Sequence, residues 1–198
     1  MPFIGLTGGM GAGKSTALAA LERLGAAVLS SDAVVHELYE GEQLRAEVIG
    51  RWGPAVAPDG VVDRSAVAER VFASGEERRW LEGLLWPLVG ARVAAWLGEV
   101  RGGSGRKQPR ARAAVVETPL LFEAGLEGLY DATIAIVSQE DVRRERAARR
   151  GHALVDERAA RQLPQAEKAR RATFVVRNDG TEEDLEQGLS TVLDKLSR

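Results

Sequence analysis

Glycine, lysine and hydroxyl side chains are concentrated in one short stretch near the start of the chain. Residues 8–16, GGMGAGKST, contain four glycines, one lysine and two hydroxyl residues. From Gly8 to Ser15 they match the pattern of glycine, any four residues, glycine, lysine and then serine or threonine. An apolar run at 2–6 predicts a buried strand before the stretch, and leucines on one side of 16–24 predict a helix after it. This order of strand, loop and helix is typical of a phosphate-binding loop.

The glycines have a physical reason in such a loop. Several backbone N–H groups must turn toward one anion, which needs left-handed torsions and no Cβ atom in the way. The following helix adds its positive N-terminal end. Lys14 is then expected to reach the β- and γ-phosphate oxygens, Ser15 to offer its hydroxyl to Mg²⁺, and Thr16 to face the α-phosphate. The alternative, a glycine-rich turn that happens to precede a lysine, is disfavoured by the flanking strand and helix.

Length and composition indicate an ordinary globular protein of 198 residues with one core. A formal net charge of −2 gives no electrostatic reason to expect a nucleic-acid partner. Cysteine is absent, so disulfides and thiolate metal sites are excluded, and only His36 and His152 carry imidazole. Because no secretion signal or membrane-spanning run is evident, we expect a cytoplasmic protein with no membrane partner. We expect a monomer, and the sequence leaves other oligomers open.

Apolar runs predict strands that alternate with helices. The predicted strands cover residues 2–6, 26–30, 113–117, 133–137 and 174–177. Strand following helix at this spacing predicts an α/β fold with a doubly wound parallel sheet. Helical periodicity from Asp32 to about Trp96 is too long for a simple crossover and predicts a helical subdomain inserted over the sheet. A closing amphipathic helix is predicted over residues 182–196.

Two carboxylates follow predicted strands and are candidates for chemistry. Asp32 stands just past the second strand, at the sheet edge where open parallel sheets bind ligands. It is a candidate to accept a hydrogen bond from an acceptor hydroxyl or to hold Mg²⁺ through water, and a helix N-cap is the equal alternative. Glu117 closes the third strand, where a carboxylate facing the metal and a solvated strand end are both open.

Basic residues are concentrated in two segments. Residues 143–150 contain five arginines, and Arg146 and Arg150 lie four apart on one helical face, suited to a polyphosphate. An exposed basic helix is the structural alternative, but beside a phosphate loop the segment predicts a closing lid. Residues 101–112 contain five basic side chains and three glycines, which predicts a surface loop and leaves anion binding open.

Several motifs together resemble one known family, the bacterial dephospho-CoA kinases. The resemblance covers the chain from Phe3 to about Leu196. The matching motifs are LTGGxGxGKST at 6–16, a triplet ending in aspartate at 30–32, the pair Asp63 and Arg64, PLLFE at 119–123, the lid arginines, and the late residues Gln162, Pro164, Lys168, Asn178 and Gly180.

The resemblance implies an activity and an architecture. The activity is transfer of the ATP γ-phosphoryl group to the ribose 3'-hydroxyl of dephospho-CoA, which gives CoA in the last step of its synthesis, with Mg²⁺ as cofactor. The fold is that of a P-loop kinase similar to the nucleoside-monophosphate kinases, with five parallel strands. The implied parts are a nucleotide-binding core at 1–32, 113–138 and 172–198, a helical acceptor-binding insertion at about 33–100, and a helical lid at about 139–170.

The resemblance also implies roles for individual residues. Asp32 takes the position of the base, and Lys14 and Arg146 complete the implied catalytic set. The implied ATP-binding residues are Gly11, Ala12, Gly13, Lys14, Ser15, Thr16, Arg146, Arg150, Asn178 and Gly180. The implied acceptor-binding residues are Asp32, Arg64, Pro119 and Leu120, and the implied metal site comprises Ser15, Asp32 and Glu117.

Three positions depart from the family pattern. The triplet begins with Ser30 instead of aspartate, Trp86 stands where histidine often precedes proline, and Thr173 replaces a late aspartate. Another small-molecule kinase, acting on a nucleotide, shikimate or gluconate, is the nearest alternative function, and both the pair Asp63 and Arg64 and the PLLFE segment speak against it. A nucleotide-dependent switch is the alternative from another class, but neither an N-K-x-D nor a D-x-x-G signature is present in the expected places.

Overall fold

A five-stranded parallel sheet forms the centre of the larger part of the protein. The computed structural model describes residues 1–102, 110–149 and 162–197. The strands are β1 (Phe3–Gly8), β2 (Ala27–Ser30), β3 (Ala114–Glu117), β4 (Ala132–Val137) and β5 (Phe174–Arg177). Their order is β2-β3-β1-β4-β5, and every neighbouring pair is parallel. The predicted doubly wound α/β fold is confirmed.

Helices connect these strands. Within the described residues they are α1 (Lys14–Arg23), α2 (Ser31–Glu40), α3 (Glu42–Trp52), α4 (Arg64–Ala73), α5 (Gly75–Gly102), α6 (Glu140–Arg149), α7 (Gln165–Arg171) and α8 (Glu182–Leu196). Short 3-10 helices occur at Pro54–Val56, Pro58–Gly60 and Glu127–Leu129. In the part of the chain that the structure describes, no helix is both long and apolar enough to cross a membrane.

The central strands are apolar and buried because helices cover the sheet. All six residues of β4 and all four of β3 are buried. One face packs against α1 and α8, whose Leu21, Leu185 and Leu189 are 0–1% exposed. Burying leucine side chains of this size stabilises the fold by about 1.5–3 kcal/mol each. This core fixes the carboxyl ends of β1, β3 and β4 as one rigid edge.

The chain divides into two compact units. The first comprises Met1–Ser30 and Glu99–Arg198, and the second comprises Ser31–Gly98. The second unit has a separate apolar cluster, supplied by α3, α4, α5 and the 3-10 turns between α3 and α4. Its buried members are Leu44, Val48, Val56, Ala57, Val62, Val67 and Leu81.

Local signals set several element boundaries. In α8, Thr181 Oγ1 accepts from Asp184 N at 3.2 Å and Asp184 Oδ2 accepts from Thr181 N at 2.9 Å, which is a reciprocal capping box. Gly53 has φ 80°, a left-handed torsion that suits glycine and ends α3. β1 extends to Gly8, beyond the predicted residues 2–6, because Gly8 continues the ladder opposite Ile136.

Candidate active site

The glycine stretch forms a tight loop between β1 and α1. Gly11 has φ 75° and Gly13 φ 92°, torsions that glycine adopts without a steric penalty. Ala12 N donates to Gly9 O at 3.1 Å, which closes the turn. A Cβ atom on Gly13 would overlap Asn178 Nδ2, and one on Gly11 would overlap the Arg143 carbonyl oxygen. Glycine is therefore required at both positions by torsion and by space.

Lys14, Ser15 and Thr16 form the first turn of α1. Lys14 Nζ donates to Gly8 O at 3.1 Å and to Gly9 O at 3.4 Å, so the ammonium group lies over its own loop. Ser15 is exposed and Thr16 is half-buried. The positive end of α1 and the Lys14 ammonium thus act on the same small volume, which suits a polyphosphate.

Arginines of α6 contact the loop region. Arg143 Nε donates to Met10 O at 3.0 Å, and its Nη1 pairs with Glu140 Oε2 at 2.9 Å. Arg146 Nη1 donates to Asn178 O at 3.0 Å. Arg150 lies outside the described residues.

Asn178 joins the end of β5 to the phosphate loop. Its side-chain Nδ2 donates to Ala12 O at 2.8 Å, and its backbone N donates to Val137 O at 2.8 Å. Its carbonyl oxygen also accepts from Ser138 Oγ at 3.1 Å. Gly180 lies two residues further on, where a Cβ atom would overlap the Asp184 carboxylate of the α8 cap. The predicted ATP-binding residues 11–14, Arg146 and Asn178 are therefore neighbours.

Glu117 ends β3 beside the end of β2. Its side chain is buried, and Oε2 accepts from Ser30 Oγ at 2.9 Å. The register pairs Glu117 with Leu6 on one side and with Ser30 on the other. Ser30, the first departure from the family pattern, thus supplies a hydroxyl donor to this carboxylate.

The segment after β3 is anchored by a buried ion pair. Lys168 is 0% exposed, and its Nζ donates to Pro119 O at 2.6 Å and pairs with Glu123 Oε1 at 2.9 Å. The same Glu123 oxygen accepts from Leu163 N at 2.7 Å. Burial lowers the pKa of Lys168, and the hydrogen bond to Glu123 opposes that shift. Pro119 is held through its carbonyl oxygen, and the next residue, Leu120, is 40% exposed.

Asp32 and Arg64 belong to the second compact unit. Asp32 is exposed and is the second residue of α2, so the helix begins before it and it is not the capping residue. Arg64 is the first residue of α4, and Asp63 caps that helix by accepting from Ser65 N at 2.8 Å. Arg64 Nη1 lies 2.6 Å from His36 Nδ1.

Thr173 and Trp86, the other two positions that depart from the family pattern, have different surroundings. Thr173 and Thr133 exchange reciprocal hydrogen bonds, each backbone N donating to the other Oγ1 at 3.0 Å. Thr173 therefore links β5 to β4 through its hydroxyl group, where the family pattern has the carboxylate of an aspartate. Trp86 is 56% exposed on α5.

Sequence reasoning missed three contacts of the site. These are Arg143 on Met10 O, Gln162 Oε1 accepting from Met10 N at 3.1 Å, and the pair of Lys168 with Glu123. Gln162, Lys168 and Glu123 all lie in motifs that the sequence analysis matched. Their places in those motifs were the available signal, but the sequence does not show which residues they contact.

Sequence comparisons with known proteins identify the same family. A sequence model described as dephospho-CoA kinase matches residues 2–184. A dephospho-CoA kinase of Anaeromyxobacter dehalogenans is 44% identical over 191 residues, which cover 93% of this chain and 87% of that relative. A second relative so named, from Rhodopseudomonas palustris, is 34% identical over 201 residues, and the match covers 100% of this chain and 97% of that relative.

A solved structure has the same fold. The protein in a crystal structure from Thermus thermophilus is 35% identical in sequence, with a TM-score of 0.82. The match covers 100% of this chain and 99% of the Thermus chain. The family prediction is confirmed. The chain therefore belongs to the dephospho-CoA kinase family, whose members are ATP-dependent kinases that phosphorylate dephospho-CoA in the final step of coenzyme A synthesis.

Proposed function

We propose that this chain transfers the γ-phosphoryl group of ATP to the ribose 3'-hydroxyl of dephospho-CoA, giving ADP and CoA. The bond from the γ-phosphorus to the β,γ-bridging oxygen breaks, a bond to the 3'-oxygen forms, and the hydroxyl proton leaves to a base. The observation that carries the proposal is the arrangement of Lys14, Asn178 and Arg146 around the glycine loop. Phosphoryl transfer chiefly requires such positioning of the reactants and neutralisation of the phosphate charge.

ATP binding is assigned to the loop and its neighbours. The proposed set is Gly11, Ala12, Gly13, Lys14, Ser15, Thr16, Arg146, Arg150, Asn178 and Gly180. Lys14 Nζ now donates to two loop carbonyls, and in the complex phosphate oxygens take their place. Charge spreads over the γ-phosphate oxygens during transfer, so Lys14 and Arg146 stabilise that state more than the ground state.

Asp32 is the proposed base. A carboxylate on the acceptor hydroxyl aligns the 3'-oxygen and takes its proton as the new bond forms. Its position in the first turn of α2, directly after β2, is what supports this role. Arg64, Pro119 and Leu120 complete the proposed acceptor site.

Mg²⁺ is the proposed cofactor, held by Ser15, Asp32 and Glu117 together with ATP phosphates. The buried carboxylate of Glu117 and the exposed hydroxyl of Ser15 fit a hard cation that prefers oxygen ligands and retains waters. Bound there, Mg²⁺ would neutralise charge on the β- and γ-phosphates.

The parts of the chain receive matching roles. We assign residues 1–32, 113–138 and 172–198 to nucleotide binding, about 33–100 to acceptor binding, and about 139–170 to the lid. A monomer without nucleic-acid or membrane partners, and a cytoplasmic location, stay predictions from the sequence.

The test is ADP release from Mg-ATP with dephospho-CoA, compared with AMP, CMP, shikimate and no acceptor. We expect release that depends on dephospho-CoA, with a product heavier by one phosphoryl group. Equal release without an acceptor would indicate hydrolysis, and release with another acceptor would indicate a different kinase. Either result would overturn the proposal while leaving the phosphate loop in place.

A further inference from the structure

A histidine and an arginine of the second unit share a short hydrogen bond that the proposed mechanism does not use. His36 Nδ1 and Arg64 Nη1 are 2.6 Å apart. A guanidinium group has five N–H donors and no acceptor, so the nitrogen of His36 must accept. The imidazole is therefore neutral, with its proton on Nε2 and the lone pair of Nδ1 directed at Arg64.

Both partners lie on elements that carry proposed acceptor-binding residues. His36 stands four residues after Asp32 in α2, on the same face of that helix. Arg64 opens α4, whose first turn is fixed by the Asp63 cap and by the hydrogen bond from Asp63 N to Val56 O at 2.8 Å. The backbone of Arg64 is thus held, and the contact with His36 selects the orientation of its side chain.

Other charged groups surround this contact. Glu40 Oε1 lies 3.9 Å from His36 Nε2, on the opposite side of the ring from Arg64. Glu37 pairs with Arg92 of α5 at 3.7 Å. Burial raises the pKa of Tyr39, and the positive charge of Arg64 lowers it in part. A proton on Nδ1 would place two cationic groups 2.6 Å apart and remove the acceptor.

We propose that His36 is a positioning residue for the acceptor: its neutral imidazole holds the Arg64 guanidinium in the orientation that receives a phosphate group of dephospho-CoA. This inference rests on the proposed function, in which Arg64 contacts the acceptor. The bond to His36 uses Nη1, which leaves the edge formed by Nε and Nη2 for a bidentate contact with phosphate oxygens. Arg64 is exposed, and an exposed arginine without such a partner loses more rotamer entropy on binding.

Two substitutions of His36 separate positioning from packing. His36→Leu removes the acceptor nitrogen at similar size, and His36→Asn keeps an acceptor oxygen near the Nδ1 position that does not titrate. We expect His36→Leu to raise KM and Kd for dephospho-CoA about tenfold, and His36→Asn about threefold or less. KM for ATP stays unchanged in both variants. In an Arg64→Ala background, His36→Leu has no further effect.

The tautomer of His36 gives a readout that packing alone would not move. Because the chain has only two histidines, a His152→Asn protein assigns the His36 signals in ¹⁵N NMR, which should show an unprotonated Nδ1 at pH 8.

The outcomes distinguish this inference from the proposed function. If Arg64→Ala leaves KM for dephospho-CoA unchanged, the acceptor role of Arg64 is wrong and the inference falls with it. If Arg64→Ala raises that KM but His36→Leu does not, only the positioning role of His36 is overturned. A protonated Nδ1 at pH 8 would also overturn it.

Discussion

The Asn178 side-chain amide donates a hydrogen bond to the carbonyl oxygen of Ala12, with 2.8 Å between Nδ2 and that oxygen. This bond connects the end of β5 to the glycine loop. Asn178 also accepts from Arg146 through its own carbonyl oxygen. One residue therefore connects the phosphate loop to the arginine helix α6. This connection gives the loop its shape before any phosphate binds, which lowers the cost of binding.

Replacing the Asn178 amide with a carboxylate should weaken ATP binding. Asn178→Asp keeps the shape of the side chain but removes the donor to Ala12 O and places an acceptor against it. We expect Kd for ATP to rise about tenfold or more. The matched control is Asp179→Asn, since Asp179 accepts from Gln139 N at 2.6 Å. Equal ATP affinity in wild type and Asn178→Asp, measured by calorimetry, would refute the assigned role.

Asp32→Asn should separate catalysis from nucleotide binding. The amide can accept a hydrogen bond but cannot take the proton of the 3'-hydroxyl, so kcat should fall about 10²- to 10⁴-fold. Kd for ATP should stay within about twofold, because the phosphates are assigned to the loop. Asp59→Asn is the control: Asp59 is exposed with φ 57°, a torsion that asparagine tolerates. Turnover that survives Asp32→Asn would rule out the base assignment.

Breaking the buried pair of Lys168 and Glu123 should destabilise the fold. Glu123→Gln leaves the ammonium group buried without its carboxylate, which should lower the free energy of unfolding by about 3–5 kcal/mol. The double variant Lys168→Met with Glu123→Leu should recover most of the loss. Urea unfolding measures both. As a control, Glu186→Gln breaks the exposed pair with Arg23 and should cost about 1 kcal/mol or less. A loss no larger for Glu123→Gln than for Glu186→Gln would contradict this account.

Alkaline pH should destabilise the protein in part through Tyr130. Burial raises the pKa of Tyr130, and its hydrogen bond with Thr118 at 3.1 Å lowers it in part. Since the pKa is higher in the folded state, the contribution of Tyr130 to stability is complete below about pH 10 and is lost as pH rises through the folded-state pKa.

Tyr130→Phe tests that sign. The variant should lose less stability than the wild type between pH 10 and higher values, as judged by urea unfolding. Tyr39, the only other tyrosine, is common to both proteins, so the difference isolates Tyr130. Parallel slopes for the two proteins would show that Tyr130 is not the titrating group.

Much of the architecture was predictable because its signals are local. The glycine pattern predicted the loop, and the amphipathic spacing of 182–196 gave α8 with the bounds that the structure has. The strand β3 begins one residue later than predicted, and β1 ends two residues later, because pairing across the sheet decides where a strand stops.

Long-range side-chain pairs were not predictable in the same way. Lys168 and Glu123 are separated by the whole of β4 and α6, and neither has a periodic pattern that marks it as buried. His36 and Arg64 are 28 residues apart on different helices. Such pairs depend on how helices and loops pack, and a single sequence carries no direct signal of that packing.

The most direct test of the central claim is the position of the transferred phosphoryl group. After incubation with ATP, Mg²⁺ and dephospho-CoA, the product should be analysed by ³¹P NMR and mass spectrometry. We predict one new phosphate monoester on the ribose 3'-oxygen, formed in equal amount with ADP. Inorganic phosphate in place of that monoester, or a phosphoryl group on another atom, would contradict it.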